Sequence, residues 1–199
     1  MFYKPVLSAL AIGLTFVAYV PYVRDIIKGS TKPHVFSWIT WGSTTIIAFF
    51  AQVQAHGGIG AWPIGVSGSI TLLVAALAYA RRADVGITKL DWVFFVAAMS
   101  SLPIWYLTSN PVWAVVVLTC VDILGFGPTI RKIRDQPHSE SGAFYGGFAL
   151  RNALVVMALE EYSWATVLFP AGVGTVCFLV TVFIMVRRQQ FANTAASAT

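Results

Sequence analysis

Apolar residues along this chain fall into seven long runs, separated by short breaks rich in polar residues, glycine or proline. The runs cover residues 6–27, 35–55, 59–80, 91–108, 111–130, 141–159 and 163–186. Each is close to the roughly 20 residues that an α-helix needs to cross a hydrocarbon core of about 30 Å. Helix is expected there, because an open sheet edge in lipid leaves backbone groups without hydrogen bonds. The pattern predicts an all-α membrane protein with seven transmembrane helices.

The composition excludes several other classes of protein. Of the 199 residues, 57% are hydrophobic and 11% are charged, whereas a soluble domain carries about 25% charged residues. A disordered chain, a disulfide-stapled secreted domain and an ordinary cytosolic enzyme are therefore excluded. No phosphate-binding loop, nucleophile elbow or aromatic-basic RNA motif is present, and no third ligand stands near His34 or His138. We predict that the protein is not an enzyme and that it has no cofactor, metal site or nucleic-acid partner.

The basic residues predict an orientation in the membrane. Eleven of the 13 lysines and arginines lie on one side, in the breaks or in the adjoining ends of runs, from Arg24 to Arg188; Lys4 lies alone on the other side, and Arg151 falls deep inside a run. Cytoplasmic loops carry the excess of Lys and Arg in membrane proteins. The split places the N-terminus outside and the C-terminus in the cytoplasm, and it explains the net charge of +5 as a topology signal.

Three landmarks recur in the same order along the chain. A proline followed by an arginine recurs after 107 residues, at Pro21 and Pro128. A Pro-His pair followed by a serine recurs after 104 residues, at Pro33 and Pro137. A proline followed by a glycine recurs after 107 residues, at Pro63 and Pro170. The recurrence predicts a first three-helix repeat over 1–82, a linker helix over 83–109, a second repeat over 110–188 and a flexible cytoplasmic tail over 189–199. The linker restores the direction of the chain, so the two three-helix bundles are expected to be parallel, an arrangement typical of transporters.

This layout resembles the PQ-loop superfamily, and its 3+1+3 arrangement is similar to that of SWEET-type sugar facilitators. The signature of that superfamily is a Pro-Gln pair near the cytoplasmic end of the first helix of each repeat. Here the pairs are Pro21-Tyr22 and Pro128-Thr129, so the prolines match and the glutamines do not. The resemblance spans residues 6–188. It implies hinges for alternating access at Pro21 and Pro128, and Pro63 and Pro170 are expected to bend their helices as well.

The substrate class follows less directly from the resemblance. SWEET-type sugar binding uses an Asn in the third helix of each repeat, where this chain has Ile64 and Ala171. Cystinosin-like amino-acid exporters, PnuC-type vitamin carriers and the KDEL receptor resemble the chain to a similar degree. The resemblance implies a transporter of a small polar solute such as a sugar, an amino acid or a vitamin. The alternative is a receptor or sorting protein of KDEL-receptor type that moves no solute. A retinal photoreceptor is excluded, since the last run contains no lysine.

Two ionisable residues lie inside apolar runs and are the strongest candidates for a binding site. Asp122 and Arg151 lie nine and ten residues from the cytoplasmic Arg131 and Ser141, which places both near the bilayer centre. Each costs about 2.5–3.5 kcal/mol there on insertion scales, so we expect them to pair or to face a wet cavity. An Asp122 that lost its partner would take up a proton more readily. The sequence is compatible with both passive and proton-coupled transport.

Further candidates follow from the repeat and from helical spacing. Asn152 is a buried amide that needs partners, and Thr15 occupies the place of Asp122 in the first repeat, which lacks the charges. Trp38 and Trp41 in the second run, with Tyr145 at the place of Trp41 in the sixth, are expected to clamp the solute or to form an interfacial aromatic belt. Monomeric and homo-oligomeric states both fit the sequence.

Overall fold

The computed structural model describes residues 2–29, 33, 35–81, 87–135, 137, 138 and 141–197. The predicted loop residues Lys32, His34 and Arg82 lie outside these ranges. The described chain is helical and contains no strand, with one short 3-10 turn at Gly58–Ala61. Its α-helices are α1 (Tyr3–Lys28), α2 (Val35–Gln54), α3 (Trp62–Ala80), α4 (Lys89–Met99), α5 (Ser101–Thr108), α6 (Pro111–Gly125), α7 (Gly127–Asp135), α8 (Gly142–Ala158) and α9 (Trp164–Ser197).

Four helical segments are long and apolar enough to cross a membrane, so the chain has the character of a membrane protein. They are Tyr3–Lys28, Gly58–Ala80, Lys89–Thr108 and Trp164–Ala192. Hydroxyl and amide side chains make α2 less apolar than these four segments, and α6 and α8 have only 15 and 17 residues. Helices thus cover all seven predicted runs, but length and apolarity together single out four of them.

Polar and apolar side chains are distributed in the way expected for a protein surrounded by lipid. Large apolar side chains cover the outside, for example Val17, Tyr106 and Leu107 with 70%, 86% and 79% exposure. The interior holds polar side chains such as Gln52 and Arg151 with 0% and 4% exposure. Soluble domains show the opposite trend, whereas polar side chains in a membrane face the interior of the bundle.

The four prolines expected to bend helices fall into two pairs. Pro21 and Pro170 lie inside α1 and α9, which continue past them. Pro63 and Pro128 instead lie in the first turns of α3 and α7, where a proline costs no helical hydrogen bond. The fifth predicted run is therefore two helices, with the break at Phe126.

Two other helix boundaries differ from the prediction. The fourth run divides into α4 and α5 at Ser100, because Pro103 lacks the amide hydrogen that would bond to the carbonyl of Met99. At the C-terminus α9 continues to Ser197, whereas a flexible tail was predicted from residue 189. Residues 187–197 contain neither glycine nor proline, so nothing in that segment ends the helix.

Glycines allow α2 to pack closely against α3, and α8 against α9. A Cβ built on Gly42 would lie 2.5 Å from Leu72, and one on Gly65 would lie 2.9 Å from Phe49. A Cβ on Gly174 would likewise lie 2.9 Å from Asn152. In both helix pairs the second and third helices of a predicted repeat approach to near backbone contact, as small residues permit in membranes.

Contacts between the predicted repeats also follow a regular pattern. Lys4, Thr15 and Tyr19 of α1 contact, in that order, Leu159, Arg151 and Phe148 at successively earlier positions of α8 and its C-cap. Trp41 and Thr44 of α2 contact Gly125 and Asp122 of α6 in the same antiparallel sense. The first helix of each predicted repeat therefore packs against the second helix of the other.

The apolar core consists of one shared cluster and two separate ones. The shared cluster joins both predicted repeats and includes Ala48 and Ile64 from the first, and Leu118 and Val155 from the second. Nearer the end that carries most basic residues, hereafter the basic end, Tyr19, Ile26 and Val74 form a second cluster. Ile133, Val180 and Ile184 form the third, on the side of α7 and α9.

Candidate functional site

Arg151 is the centre of a buried polar network between α8, α1 and α3. Its Nε donates to Thr15 Oγ1 at 3.2 Å, its Nη1 donates to Asn152 Oδ1 at 3.1 Å, and its Nη2 donates to the carbonyl oxygen of Pro63. Thr15 in turn donates to the carbonyl of Ala11 at 2.9 Å. The sequence predicted Arg151, Thr15 and Asn152 as site residues, and the structure brings these three together.

The predicted ion pair between Asp122 and Arg151 is not formed. No salt bridge joins the two residues among the described side chains, and all three hydrogen-bond partners of the guanidinium are neutral. The prediction was wrong because it used only depth in the membrane. Arg151 faces α1 and α3, whereas Asp122 faces α2, so equal depth did not bring the two groups together.

Asp122 instead lies against a threonine hydroxyl of α2. Thr44 Oγ1 is 3.0 Å from Asp122 Oδ1 and 2.9 Å from the carbonyl oxygen of Trp41. A hydroxyl has one hydrogen to donate. An ionised Asp122 accepts it, whereas a protonated Asp122 donates to Thr44, which is then free to donate to Trp41. The geometry therefore accommodates either protonation state of the carboxyl group without a change in position.

Asn152 satisfies both ends of its amide. Its Oδ1 accepts from Arg151, and its Nδ2 donates to the carbonyl of Phe148 at 2.9 Å. The side chain is 1% exposed and packs beside Gly174 of α9. Asn152 thus holds the Nη1 group of the Arg151 guanidinium in place from within the same helix.

The predicted aromatic residues belong to separate sets of ring contacts, and the expected solute clamp stays a prediction. Trp41 makes an edge contact with Trp38 at 5.8 Å, while Tyr145 contacts Phe126 at 6.3 Å and Phe144 at 5.4 Å. Trp38 also stacks on Tyr22 at 5.0 Å. In the described residues no ring contact joins Trp41 to Tyr145. The two side chains lie on either side of the break between α6 and α7, at Gly125 and Phe126.

Sequence reasoning missed two buried polar residues that form hydrogen bonds between helices. Tyr19 contacts Phe148 at 5.7 Å, and its hydroxyl shares a hydrogen bond of 2.9 Å with Thr71. Its position four residues after Thr15, on the same helical face, was a usable signal. Gln52 donates to the carbonyl of Thr166 at 2.6 Å from a fully buried position. A polar amide inside an apolar run was the corresponding signal for Gln52.

The end of the molecule opposite the basic end is closed by polar contacts between the predicted repeats. Lys4 is buried and donates to the carbonyl of Leu159 at 2.7 Å, at the C-cap of α8. The Glu160 amide donates to the carbonyl of Gly57 at 3.1 Å, and its carboxylate accepts from the amide of Ile59 at 3.3 Å. We call this set of contacts the Lys4 latch. A cation at a helix C-terminus is favourable because the carbonyls there carry partial negative charge.

Known proteins give no independent assignment. No protein-family model matches the chain, and neither a curated protein nor a solved structure is significantly similar to it. The described residues also contain no group of three or more side chains suited to bind a metal ion. The case for function therefore depends on the buried network and on the packing of the helices.

Proposed function

We propose that this protein carries a small polar solute across a membrane by alternating access between two three-helix bundles. The first bundle consists of α1–α3, and the second consists of α6–α9, with the α6–α7 pair taken as one broken span. The helices α4 and α5 form the linker. This arrangement makes seven crossings, of the SWEET-like type that the internal repeat predicts, with the N-terminus outside and the basic end in the cytoplasm.

The observation that carries the proposal is the pair of buried charges at the boundary between the bundles. Asp122 and Arg151 are 8% and 4% exposed, and each bonds to a neutral group of the opposite bundle. Burying an ionised side chain without an opposite charge is costly. Ionisable residues inside membrane segments mark substrate and ion pathways, so a boundary that opens to solute explains both groups.

The order in which residues along one helix contact residues along its neighbour supports a parallel arrangement of the bundles. Each second helix runs antiparallel to its third helix, as the contacts of Gly42 with Leu72 and Gly65 with Phe49 indicate for α2 and α3. Because Ser8 bonds to Ile59 and Tyr19 to Thr71, α1 runs parallel to α3 and hence antiparallel to α2. Since α2 is also antiparallel to α6, the first helices of both bundles point in the same direction. Thr15 and Asp122, separated by the repeat offset, also make equivalent contacts, each with the second helix of the other bundle.

The packing supports a state that is closed on the outside. The Lys4 latch joins the bundles at the predicted outer end, and the shared core cluster lies between them. Toward the predicted cytoplasmic end the Tyr19 cluster lies mainly in the first bundle, with Phe148 of the second packed against it, and the third cluster lies within the second bundle. Pro21 and Pro170, inside α1 and α9, are the proposed points of bending.

Proton coupling is tested by replacing Asp122 with asparagine. Proteoliposomes are loaded with glucose, lactate, alanine or thiamine to find which of these solutes is transported. For that solute, we expect the rate of counterflow by the wild type to depend on pH. Asp122→Asn should abolish that dependence, because asparagine does not titrate and the Thr44 hydroxyl then bonds to a permanently neutral group. Measurement of initial counterflow rates from pH 5 to pH 8 decides the outcome.

Two variants provide controls for this experiment. Asp135→Asn makes the same chemical change at an exposed position beside Arg134, and Thr45→Val removes a hydroxyl that bonds to Trp41 and not to Asp122. Both should retain the wild-type pH profile. A pH profile of Asp122→Asn equal to that of the wild type removes proton coupling, while binding of a solute without counterflow removes the carrier and favours the receptor alternative.

A further inference from the structure

Arg151 is a buried cation without an anionic partner. Its three hydrogen-bond partners are a hydroxyl, an amide oxygen and a backbone carbonyl. No carboxylate in the described part of the chain forms a salt bridge with it. A neutral glutamine side chain can also donate to a hydroxyl and a carbonyl, without the cost of desolvating a charge. The positive charge therefore requires an explanation that the helix packing does not supply.

Two of the three partners of Arg151 lie across the bundle boundary, so opening the boundary releases Arg151 from them. Thr15 and Pro63 belong to α1 and α3, whereas Asn152 is on the same helix as Arg151. Separation of the bundles breaks the bonds from Nε and Nη2 and retains the bond from Nη1 to Asn152. The two released N–H groups lie on one edge of the planar guanidinium, where they form the fork that binds a carboxylate in bidentate fashion.

We infer that Arg151 binds a carboxylate group of the transported solute, in exchange for Thr15 and the Pro63 carbonyl. This inference rests on the proposed carrier function, and it narrows the solute to a small organic acid or amino acid with one carboxylate. One guanidinium matches one negative charge. The other described cations lie at the two ends of the molecule, Lys4 in the latch and the remainder at the basic end from Arg24 to Arg188, so a phosphate dianion finds no second cation.

The test compares each carboxylate with its neutral amide. Purified protein in detergent is titrated with lactate, benzoate or alanine, and in parallel with lactamide, benzamide or alaninamide, and its thermal unfolding is followed. A ligand that binds the folded state raises the unfolding temperature. We expect at least one carboxylate to stabilise the protein at concentrations at least tenfold below those at which its amide does. Equal responses to acid and amide, or no response to any carboxylate, overturn the inference.

Variants link the response to Arg151. Arg151→Gln should weaken carboxylate binding at least tenfold, whereas Arg134→Gln, the same change at an exposed arginine, should leave it unchanged. Arg151→Lys retains the charge without the fork, and we expect it to prefer acid over amide with lower affinity. If Arg151→Gln does not fold, the lysine variant decides: an affinity equal to that of the wild type, or equal binding of acid and amide, contradicts the assignment. Full carboxylate binding by a folded Arg151→Gln also contradicts it.

Failure of this inference is distinguishable from failure of the carrier. Counterflow of glucose or thiamine by a protein that responds to no carboxylate overturns the anion site and leaves the carrier intact. Carboxylate binding that Arg151→Gln abolishes, without counterflow of any solute, supports the anion site and overturns the carrier.

Discussion

Replacing Gly60 with alanine is expected to destabilise the protein by about 1–3 kcal/mol, the cost typical of overpacking a tight interior. A Cβ on Gly60 would lie 2.5 Å from the amide nitrogen of Leu159 and 2.7 Å from its Cα. Both are backbone atoms, so no rotamer change relieves the contact. Because Leu159 also accepts the hydrogen bond from Lys4, the substitution should loosen the Lys4 latch as well.

Gly13 provides the matched control for Gly60. A Cβ on Gly13 meets no atom within 4 Å, and alanine is preferred over glycine inside a helix by about 0.5–1 kcal/mol. Gly13→Ala should therefore raise the unfolding temperature slightly in detergent, while Gly60→Ala lowers it. Equal shifts for the two variants contradict the close approach of the Gly58–Ala61 turn to the end of α8.

The helical segments were predictable because each depends on local sequence. The predicted run 6–27 corresponds to α1, and the run 91–108 to α4 and α5, with ends that differ by up to three residues. The breaks inside runs follow from single residues as well, since Pro103 and Pro128 lie in the first turn of the helix after each break. Length and apolarity single out four of the seven segments, because α2, α6 and α8 are short or carry buried polar groups, so the count of seven transmembrane helices stays a prediction.

The contacts of the site were less predictable because they depend on the rotation of each helix about its axis. Spacing along the sequence gave Asp122 and Arg151 the same depth, but it contained no information on which neighbour each side chain faces. The prediction for Thr15 was more useful because it used the repeat. Equivalent positions of two repeats share both their depth and the direction in which the side chain points from the helix axis. Thr15 indeed lies at the boundary between the predicted repeats, bonded to Arg151.

The role of Lys4 had no signal in the sequence. Lys4 counted only as the single basic residue on its side of the membrane, whereas the structure buries it against Leu159, 155 residues away. A contact of this kind depends on the arrival of α8 beside α1. The Lys4 latch is therefore a feature that only the tertiary structure reveals.

Locking the Lys4 latch is expected to abolish transport. Ile59 and Glu160 belong to different proposed bundles and meet in this latch, so Ile59→Cys combined with Glu160→Cys allows a short bis-methanethiosulfonate, which attaches through reducible disulfides, to hold the bundles together. The exposed Cys120 is replaced by serine in all variants, and the buried Cys177 is kept. Alternating access requires the outer end to open in each cycle, so the cross-link should reduce counterflow at least tenfold, with recovery on reduction.

A cross-link within one bundle is the control. The rings of Phe49 and Trp62 are 5.7 Å apart, both side chains are at least partly exposed, and both residues belong to the proposed first bundle, so Phe49→Cys with Trp62→Cys tests the same chemistry without joining the bundles. The decisive measurement is solute counterflow in proteoliposomes by both double variants before and after cross-linking. The account predicts that the cross-link between bundles stops counterflow and that the cross-link within one bundle does not. Undiminished counterflow with the bundles joined would contradict it.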